Sequence, residues 1–263
     1  MHPYFDIVRP HLFGHRGASA EAPENTLVAF ARALEHGVPY LELDCHATRD
    51  GEIVVLHDAE LARTTGLDAL VSELSFAELE RLDAGYRFTR DGHTFPFRGK
   101  GVRVPCFSEV LSAFPGTRLN LEVKQAEPAI AAQVVRLVRS ANASARVLLA
   151  SAEEPILAEI VKLDPGTALG SSTVDVIEFV KAAAESRLES FVPRGHALQI
   201  PPDAFGRPLV TAELIAAAHA LGLFVHVWTI NEPDEMRRLL ALGVDGIMSD
   251  LPGLAVTAAA KRK

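Results

Sequence analysis

The chain has 263 residues, with 26 Lys plus Arg against 34 Asp plus Glu and a formal net charge of −8. Its basic residues are scattered and their one cluster, Lys261-Arg262-Lys263, reads as a solvated tail, so the basic face expected of a nucleic-acid binder is missing. A hydrophobic content of 48% excludes general disorder, and two cysteines, Cys45 and Cys106, are too few for a disulfide framework. Residues 1–17 show no basic stretch leading into an apolar one, and no uncharged apolar run approaches the ~18 residues of a membrane span. The expectation is a cytoplasmic protein with no membrane span and no nucleic-acid partner.

His11-Leu12-Phe13-Gly14 reads as a strand, and Thr26 to His36 as a helix with Asn25 as its cap and Gly37 as its stop. Tyr40 to His46 is the second strand. Ile53-Val54-Val55-Leu56 is also strand-like, but Thr48-Arg49-Asp50-Gly51 leaves no room for a helix before it. Asp-Gly between two apolar runs signals a hairpin, so this strand pairs antiparallel with its predecessor and stands outside any parallel set. The pattern then loosens over residues 58–105, with a short helix at Ser75–Leu82 and a stretch from Gly85 to Gly101 rich in Gly, Arg and aromatics. Strands follow at Arg118–Val123, Arg146–Ala150, Thr167–Gly170, Ala197–Ile200, Phe224–Ile230 and Gly246–Ser249. Helical patterns at Glu127–Ser140, Glu153–Leu163, Val174–Ser186, Thr211–Leu221 and Pro233–Leu242 separate most of them.

Such alternation implies parallel pairing with right-handed crossovers, and eight parallel strands close a barrel. The expected fold is therefore α/β, a single TIM-type (β/α)8 barrel occupying residues 1–263 as one domain. Residues 58–105 become an insertion between the second and third barrel strands, hanging over the C-terminal mouth.

Polar residues at strand ends carry the chemistry. Period-2 alternation in Tyr40 to His46 puts Glu42, Asp44 and His46 on one face and Leu41, Leu43 and Cys45 on the other. Two inward carboxylates are costly without a positive charge between them, and a hard divalent cation is the natural neutraliser. Outward carboxylates paired with helix lysines are the alternative. Asn120-Leu121-Glu122-Val123-Lys124 repeats the alternation on the next parallel strand, adding Glu122 as a third carboxylate and Lys124 as a point charge for an anion. Against this stands an ordinary Glu122–Lys124 surface pair. His15, beside Arg16 and Gly17, and His57, beside Asp58 on the hairpin arm, both reach the expected mouth, where two histidines would suit acid–base work on a phosphodiester. His46 is a rival for one of those places. Cys45 is expected to be an inert buried thiol.

His15-Arg16-Gly17, Pro23-Glu24-Asn25-Thr26, Glu42-Leu43-Asp44, Thr48-Arg49-Asp50-Gly51, Val54-Val55-Leu56-His57-Asp58 and Arg63-Thr64-Thr65-Gly66 occur in an order that resembles the glycerophosphodiester phosphodiesterases. Asn120 to Lys124, Val227-Trp228-Thr229-Ile230-Asn231 and Gly243 to Asp250 continue the likeness, which spans about residues 11–254. The family is a barrel related to the phosphoinositide-specific phospholipases C. The resemblance implies Glu42, Asp44 and Glu122 as ligands of Mg²⁺ or Ca²⁺, with Mn²⁺ a third option for the same oxygen set. It implies His15 and His57 as the acid–base pair, and Arg16 and Lys124 as holders of the phosphoryl oxygens. Trp228 would either wall the glycerol or leaving-group pocket or be a plain core residue.

The implied reaction is metal-dependent hydrolysis of a small glycerophosphodiester to sn-glycerol 3-phosphate and an alcohol. Attack by the substrate's own glycerol hydroxyl, through a cyclic phosphate, and direct attack by water both fit. The same centre would also serve lysophospholipids or glycerophosphoinositol. A non-catalytic barrel that keeps the cation for stability is the remaining alternative. Oligomeric state is open.

Overall fold

The structure is a computed structural model that describes residues 1–163 and 165–260; Lys261-Arg262-Lys263, the expected tail, lies outside them. Eight parallel strands form its centre: β1 (His11–His15), β2 (Tyr40–Ala47), β4 (Arg118–Val123), β5 (Val147–Ala150), β6 (Ala168–Leu169), β7 (Ala197–Ile200), β10 (Phe224–Val227) and β11 (Gly246–Ser249). Their order is β6-β5-β4-β2-β1-β11-β10-β7, and a parallel bridge between Gly170 and Ala197 joins the two ends into a ring. All eight fall where apolar runs of strand length predict them. The expected α/β barrel is what forms.

Alternation divides the side chains between two cores. Leu41, Leu43 and Cys45 face outward into the layer between sheet and helices, with Leu119, Leu121, Leu149 and Val225. Phe13, Tyr40, Leu148, Ala168 and Met248 fill the lumen near the strands' N-terminal ends. A one-turn helix, Pro3–Phe5, closes that end from below with buried Tyr4 and Phe5. Arg118 Nε and the Tyr40 hydroxyl both donate to the Tyr4 carbonyl, at 2.8 and 2.9 Å. The lumen is thus apolar at one end, and polar side chains gather at the other.

β2 is eight residues long and outruns β4. Its last three residues pair antiparallel with β3 (Ile53–Val55), Cys45 opposite Val55 and Ala47 opposite Ile53. Gly51, with φ +85°, takes the left-handed position in the connecting turn, and its N–H donates to the Thr48 carbonyl. Residues 58–105 follow β3, and their Leu61, Val71, Leu79, Val102 and Val104 form a small core together with Val54 of β3 and Leu56. Farther along, Phe88 meets Phe97 edge-on, and Arg98 lies over the rings of Phe95 and Tyr86.

Most helices are shorter than their sequence patterns, while Pro233–Leu242 forms with the expected bounds. Residues 127–140 yield only a helix at Ala131–Ser140, since Pro128 lies in the preceding turn. The helix after β1 is α1 (Leu27–Glu35), and its cap is Thr26 rather than Asn25. Thr26 Oγ1 accepts from the Ala29 N–H at 3.2 Å, while Asn25 takes a left-handed backbone, φ 56°, that turns its side chain toward β2. Helices at Phe107–Ala113 and Pro252–Ala260 are not anticipated from pattern. Among the described residues no helix is long and apolar enough to cross a membrane.

Candidate active site

Strand register assembles the acidic residues. β1 pairs with β2 so that His15 stands beside Glu42, and β2 pairs with β4 so that Asp44 stands beside Glu122. Since Glu42 and Asp44 are two residues apart on one face, three carboxylates converge at the C-terminal end of the lumen. One oxygen from each of Glu42, Asp44 and Glu122 lies within 4.8 Å of the others. Glu42 and Asp44 are almost fully buried. Burial and the neighbouring Asp44 carboxylate push Glu42 up to about 8. An all-oxygen, strongly repelling set of this kind fits a hard divalent cation.

Two side-chain cations share the set. Lys124 Nζ lies 3.0 Å from Glu122 and 3.3 Å from Asp44. Arg16 Nε approaches Asp44 at 3.4 Å without hydrogen-bond alignment, and the Arg16 backbone N–H donates to Glu42 at 2.9 Å. Arg16 makes that backbone contact from a left-handed conformation, φ 52°. Burial alone would raise the Asp44 carboxyl, but Lys124, Arg16 and His57 outweigh it and hold it low. Asn25 adds a hydrogen bond to Asp44 at 3.0 Å, which explains why it does not cap its helix.

Both histidines are backed by aspartate. His15 Nδ1 lies 2.7 Å from Asp250 and its Nε2 3.8 Å from Glu42. Burial opposes a charge on this ring, yet Glu42 and the Asp250 hydrogen bond prevail and raise its pKa. Asp250 also accepts from Ser19 and Asn231, each at 2.7 Å, and sits low at about 2, its burial overcome by these bonds. His57 Nδ1 lies 2.6 Å from Asp58, whose other oxygen accepts from Arg63 Nε at 2.5 Å. Since a carboxylate only accepts, each histidine donates through Nδ1 and presents Nε2 elsewhere. His46, the rival, is buried, and its Nε2 meets the His57 carbonyl at 3.0 Å. It supports the hairpin arm from below.

A cleft of about 220 Å³ opens over His15, Arg16, Ser19, Glu24 and Asp250. Trp228 follows β10 at the rim, 41% exposed, with its backbone N–H donating to the Ile200 carbonyl at 3.2 Å. Register and hydrogen bonds thus gather His15, Arg16, Glu42, Asp44, Glu122 and Lys124 in one place, and His57 lies near enough to Asp44 to help hold its carboxyl low. Trp228 stands apart at the rim. Sequence reasoning gave no role in the site to Asp250, Asp58, Glu24 or Arg63, and gave Asn25 only that of fixing the first loop and capping its helix. Asp250 directly follows the eighth barrel strand, where functional side chains of such barrels reside, and that position was its available signal. Cys45 is fully buried, and burial pushes its thiol up, as expected of an inert group.

Fold and centre together define a class: a (β/α)8 barrel whose mouth carries an acidic, cation-compatible cluster beside two aspartate-backed histidines. The glycerophosphoryl diester phosphodiesterase family model matches residues 15–254, and the chain belongs to that family. It is 33% identical over 251 residues to a glycerophosphodiester phosphodiesterase of Bacillus altitudinis, covering 93% of this chain and 96% of that one. It is 30% identical over 264 residues to a lysophospholipase D of Mus musculus, covering 90% and 82%. Among solved structures it resembles an Oleispira antarctica phosphodiesterase in complex with the product sn-glycerol-3-phosphate, with TM-score 0.75, 27% identity and coverage of 95% and 97%.

Proposed function

We propose that the chain hydrolyses glycerophosphodiesters to sn-glycerol 3-phosphate and an alcohol. The observation that carries this reading is the convergence of three carboxylates within 4.8 Å beside two histidines, each bonded through Nδ1 to an aspartate. Family membership and the product-bound relative support it.

Glu42, Asp44 and Glu122 hold a divalent cation, Mg²⁺ or Ca²⁺, with Mn²⁺ also suited to oxygen ligands. When bound, the ion neutralises negative charge on the phosphoryl oxygens. Arg16 and Lys124 bind those same oxygens as fixed cations and stabilise the charge that grows there in the transition state. His15 and His57 divide the proton work. One takes the proton of the attacking hydroxyl or water at Nε2, and the other gives a proton to the departing alcohol. Trp228 walls the alcohol side of the cleft. Residues 58–105 act with the barrel as one unit and cover its mouth.

A second substrate class has its own support. Phe205 is fully exposed at the tip of the hairpin formed by β8 (Asp203–Ala204) and β9 (Arg207–Pro208), just after β7. An aromatic tip there, together with the similarity to a lysophospholipase D, suits a substrate bearing an acyl chain.

One experiment separates these readings. Choline release is measured from glycerophosphocholine and from lysophosphatidylcholine after chelation and after restoration of Mg²⁺, Mn²⁺ or Ca²⁺. Cation-restored turnover of the small diester is the expected result. Turnover of the lysolipid alone would assign the second class, and none with either substrate in folded protein would remove both and point to a larger phosphodiester or a non-catalytic barrel.

A further inference from the structure

Two residues the proposed reaction leaves without a role, Glu24 and Arg63, lie at the centre of a continuous chain of charges. Arg63 grips Glu24 with both terminal nitrogens, Nη1 to Oε2 at 2.5 Å and Nη2 to Oε1 at 2.8 Å. The remaining nitrogen of its fork, Nε, bonds Asp58, which bonds His57. On the other side Glu24 Oε1 accepts from Arg16 Nη1 at 3.0 Å. The path Arg16–Glu24–Arg63–Asp58–His57 therefore joins the loop after β1 to the segment after β3.

Several features set this chain apart from an ordinary surface pair, which contributes little. Glu24 is largely buried, its side chain only 18% exposed, and two guanidinium groups converge on it. Burial alone would raise its carboxyl, but Arg63 and Arg16 prevail and keep it ionised. The Arg63–Glu24 contact is bidentate, which fixes orientation as well as distance. Arg63 itself is the one charged residue of the one-turn helix on which it sits, Ala62–Thr65. Both ends of the path are groups assigned to the reaction.

The geometry points to Glu24 and Arg63 as positioning residues: Arg63 holds Asp58, and through it His57, while Glu24 anchors Arg63 and Arg16 together. This rests on the proposed roles of His57 and Arg16. Arg63 bonds Asp58 but not Arg16, whose own bond to Glu24 survives the loss of Arg63, so that loss lowers kcat and spares KM. Glu24 touches both branches, so its loss lowers kcat and raises KM.

The test uses the whole chain, loaded with its best cation, with glycerophosphocholine as substrate. Arg63→Ala is expected to lose about 10- to 100-fold in kcat, the cost of a slightly misplaced catalytic group, with KM nearly unchanged. Guanidinium ion added to Arg63→Ala restores part of that loss. In the Asp58→Asn background the Arg63→Ala change adds almost nothing, because both act through one path. Glu24→Gln lowers kcat and raises KM together. Thermal melts and cation-dependent stabilisation of each variant show that it is folded and loaded. Parental kcat in folded Arg63→Ala, a fully multiplicative loss with Asp58→Asn, or a rise in KM alone would overturn the inference. A His57→Ala control that keeps normal turnover would instead overturn the reading beneath it.

Discussion

Asp250 Oδ1 lies 2.7 Å from His15 Nδ1, a contact between residues 235 positions apart that exists because the ring closes β1 against β11. The aspartate does not swing freely. Ser19 and Asn231 hold its two oxygens, and Asn231 Oδ1 accepts from the Asp250 backbone N–H at 2.9 Å. The bond fixes His15 with its proton on Nδ1 and Nε2 directed toward Glu42. Asp250→Asn keeps the shape but can reverse the tautomer, and Asp250→Ala removes the orienting bond. Both are expected to lower kcat by about 10²- to 10⁴-fold, by analogy with orienting aspartates behind catalytic histidines, with cation affinity little changed. Steady-state kinetics beside a calorimetric cation titration checks this, and parental kcat in Asp250→Ala would remove the orienting role.

The carboxylate cluster makes cation binding and stability depend on pH in opposite senses. Glu42, pushed up to about 8 by burial and Asp44, keeps a proton in the metal-free fold at pH values where the unfolded chain, near 4.5, has lost it. The native state then binds more protons than the unfolded state, so metal-free stability falls as pH rises from about 4.5 to 8. A cation must displace that proton, so its apparent affinity rises with pH up to about 8 and then levels. Glu42→Gln should raise the metal-free Tm at pH 8, flatten its pH dependence and weaken cation binding. Melts from pH 5 to 8.5, with and without cation, decide it. An unchanged slope in Glu42→Gln would show that another group is responsible.

Much of the barrel and its acidic cluster was legible because both rest on strict periodicity. Strands that alternate and pair in parallel register bring Glu42, Asp44 and Glu122 together with few further assumptions. The same logic placed β3 outside the parallel set, since the Thr48 to Gly51 turn has no length for a crossover. What escaped depends on contacts across distant elements. Asn25 carries the side chain of a good helix cap, yet the left-handed backbone it adopts directs it to Asp44, and Thr26 caps in its place. Arg63 and Glu24 look like ordinary surface charges 39 residues apart until the hairpin arm folds toward the β1 loop. Alternation along one strand says nothing of such pairs.

At the closed end of the barrel, His11 Nε2 meets the Ile7 carbonyl at 3.3 Å, so it carries the proton. His11 Nδ1 then accepts from His226 Nε2 at 3.1 Å, and the buried His226 Nδ1 has no partner. Burial lowers His11 to about 4 and holds His226 well below its ordinary value. Unfolded histidines titrate near 6.5, so below that pH the unfolded state binds protons the native state refuses. This pair's contribution to stability is intact above pH 6.5 and is lost as pH falls toward about 4. His226→Phe is expected to soften the acid limb of the Tm profile, compared between pH 7 and 4.5 in the Glu42→Gln background to remove the opposing carboxylate. Parallel profiles for the two proteins would refute the assignment.

Gly17 sets the loop that carries His15 and Arg16. Its φ is +85°, and a Cβ there would lie 2.6 Å from the Ala29 carbonyl carbon and 2.7 Å from its oxygen. That oxygen is already engaged, accepting from the Ala18 N–H at 2.9 Å, so α1 cannot retreat without breaking the bond. Gly17→Ala combines left-handed strain with overpacking against backbone, about 2–5 kcal/mol together. For a chain of this size that corresponds to a Tm lower by about 5–15 °C. Relief by shifting the loop would carry away the Arg16 N–H that donates to Glu42 and the Arg16 side chain beside Asp44. The variant should therefore lose kcat/KM even at temperatures where it is fully folded, with weaker cation binding as an independent readout. A Gly17→Ala protein that melts and turns over like the parent would mean that the loop accommodates a methyl group which this backbone geometry excludes.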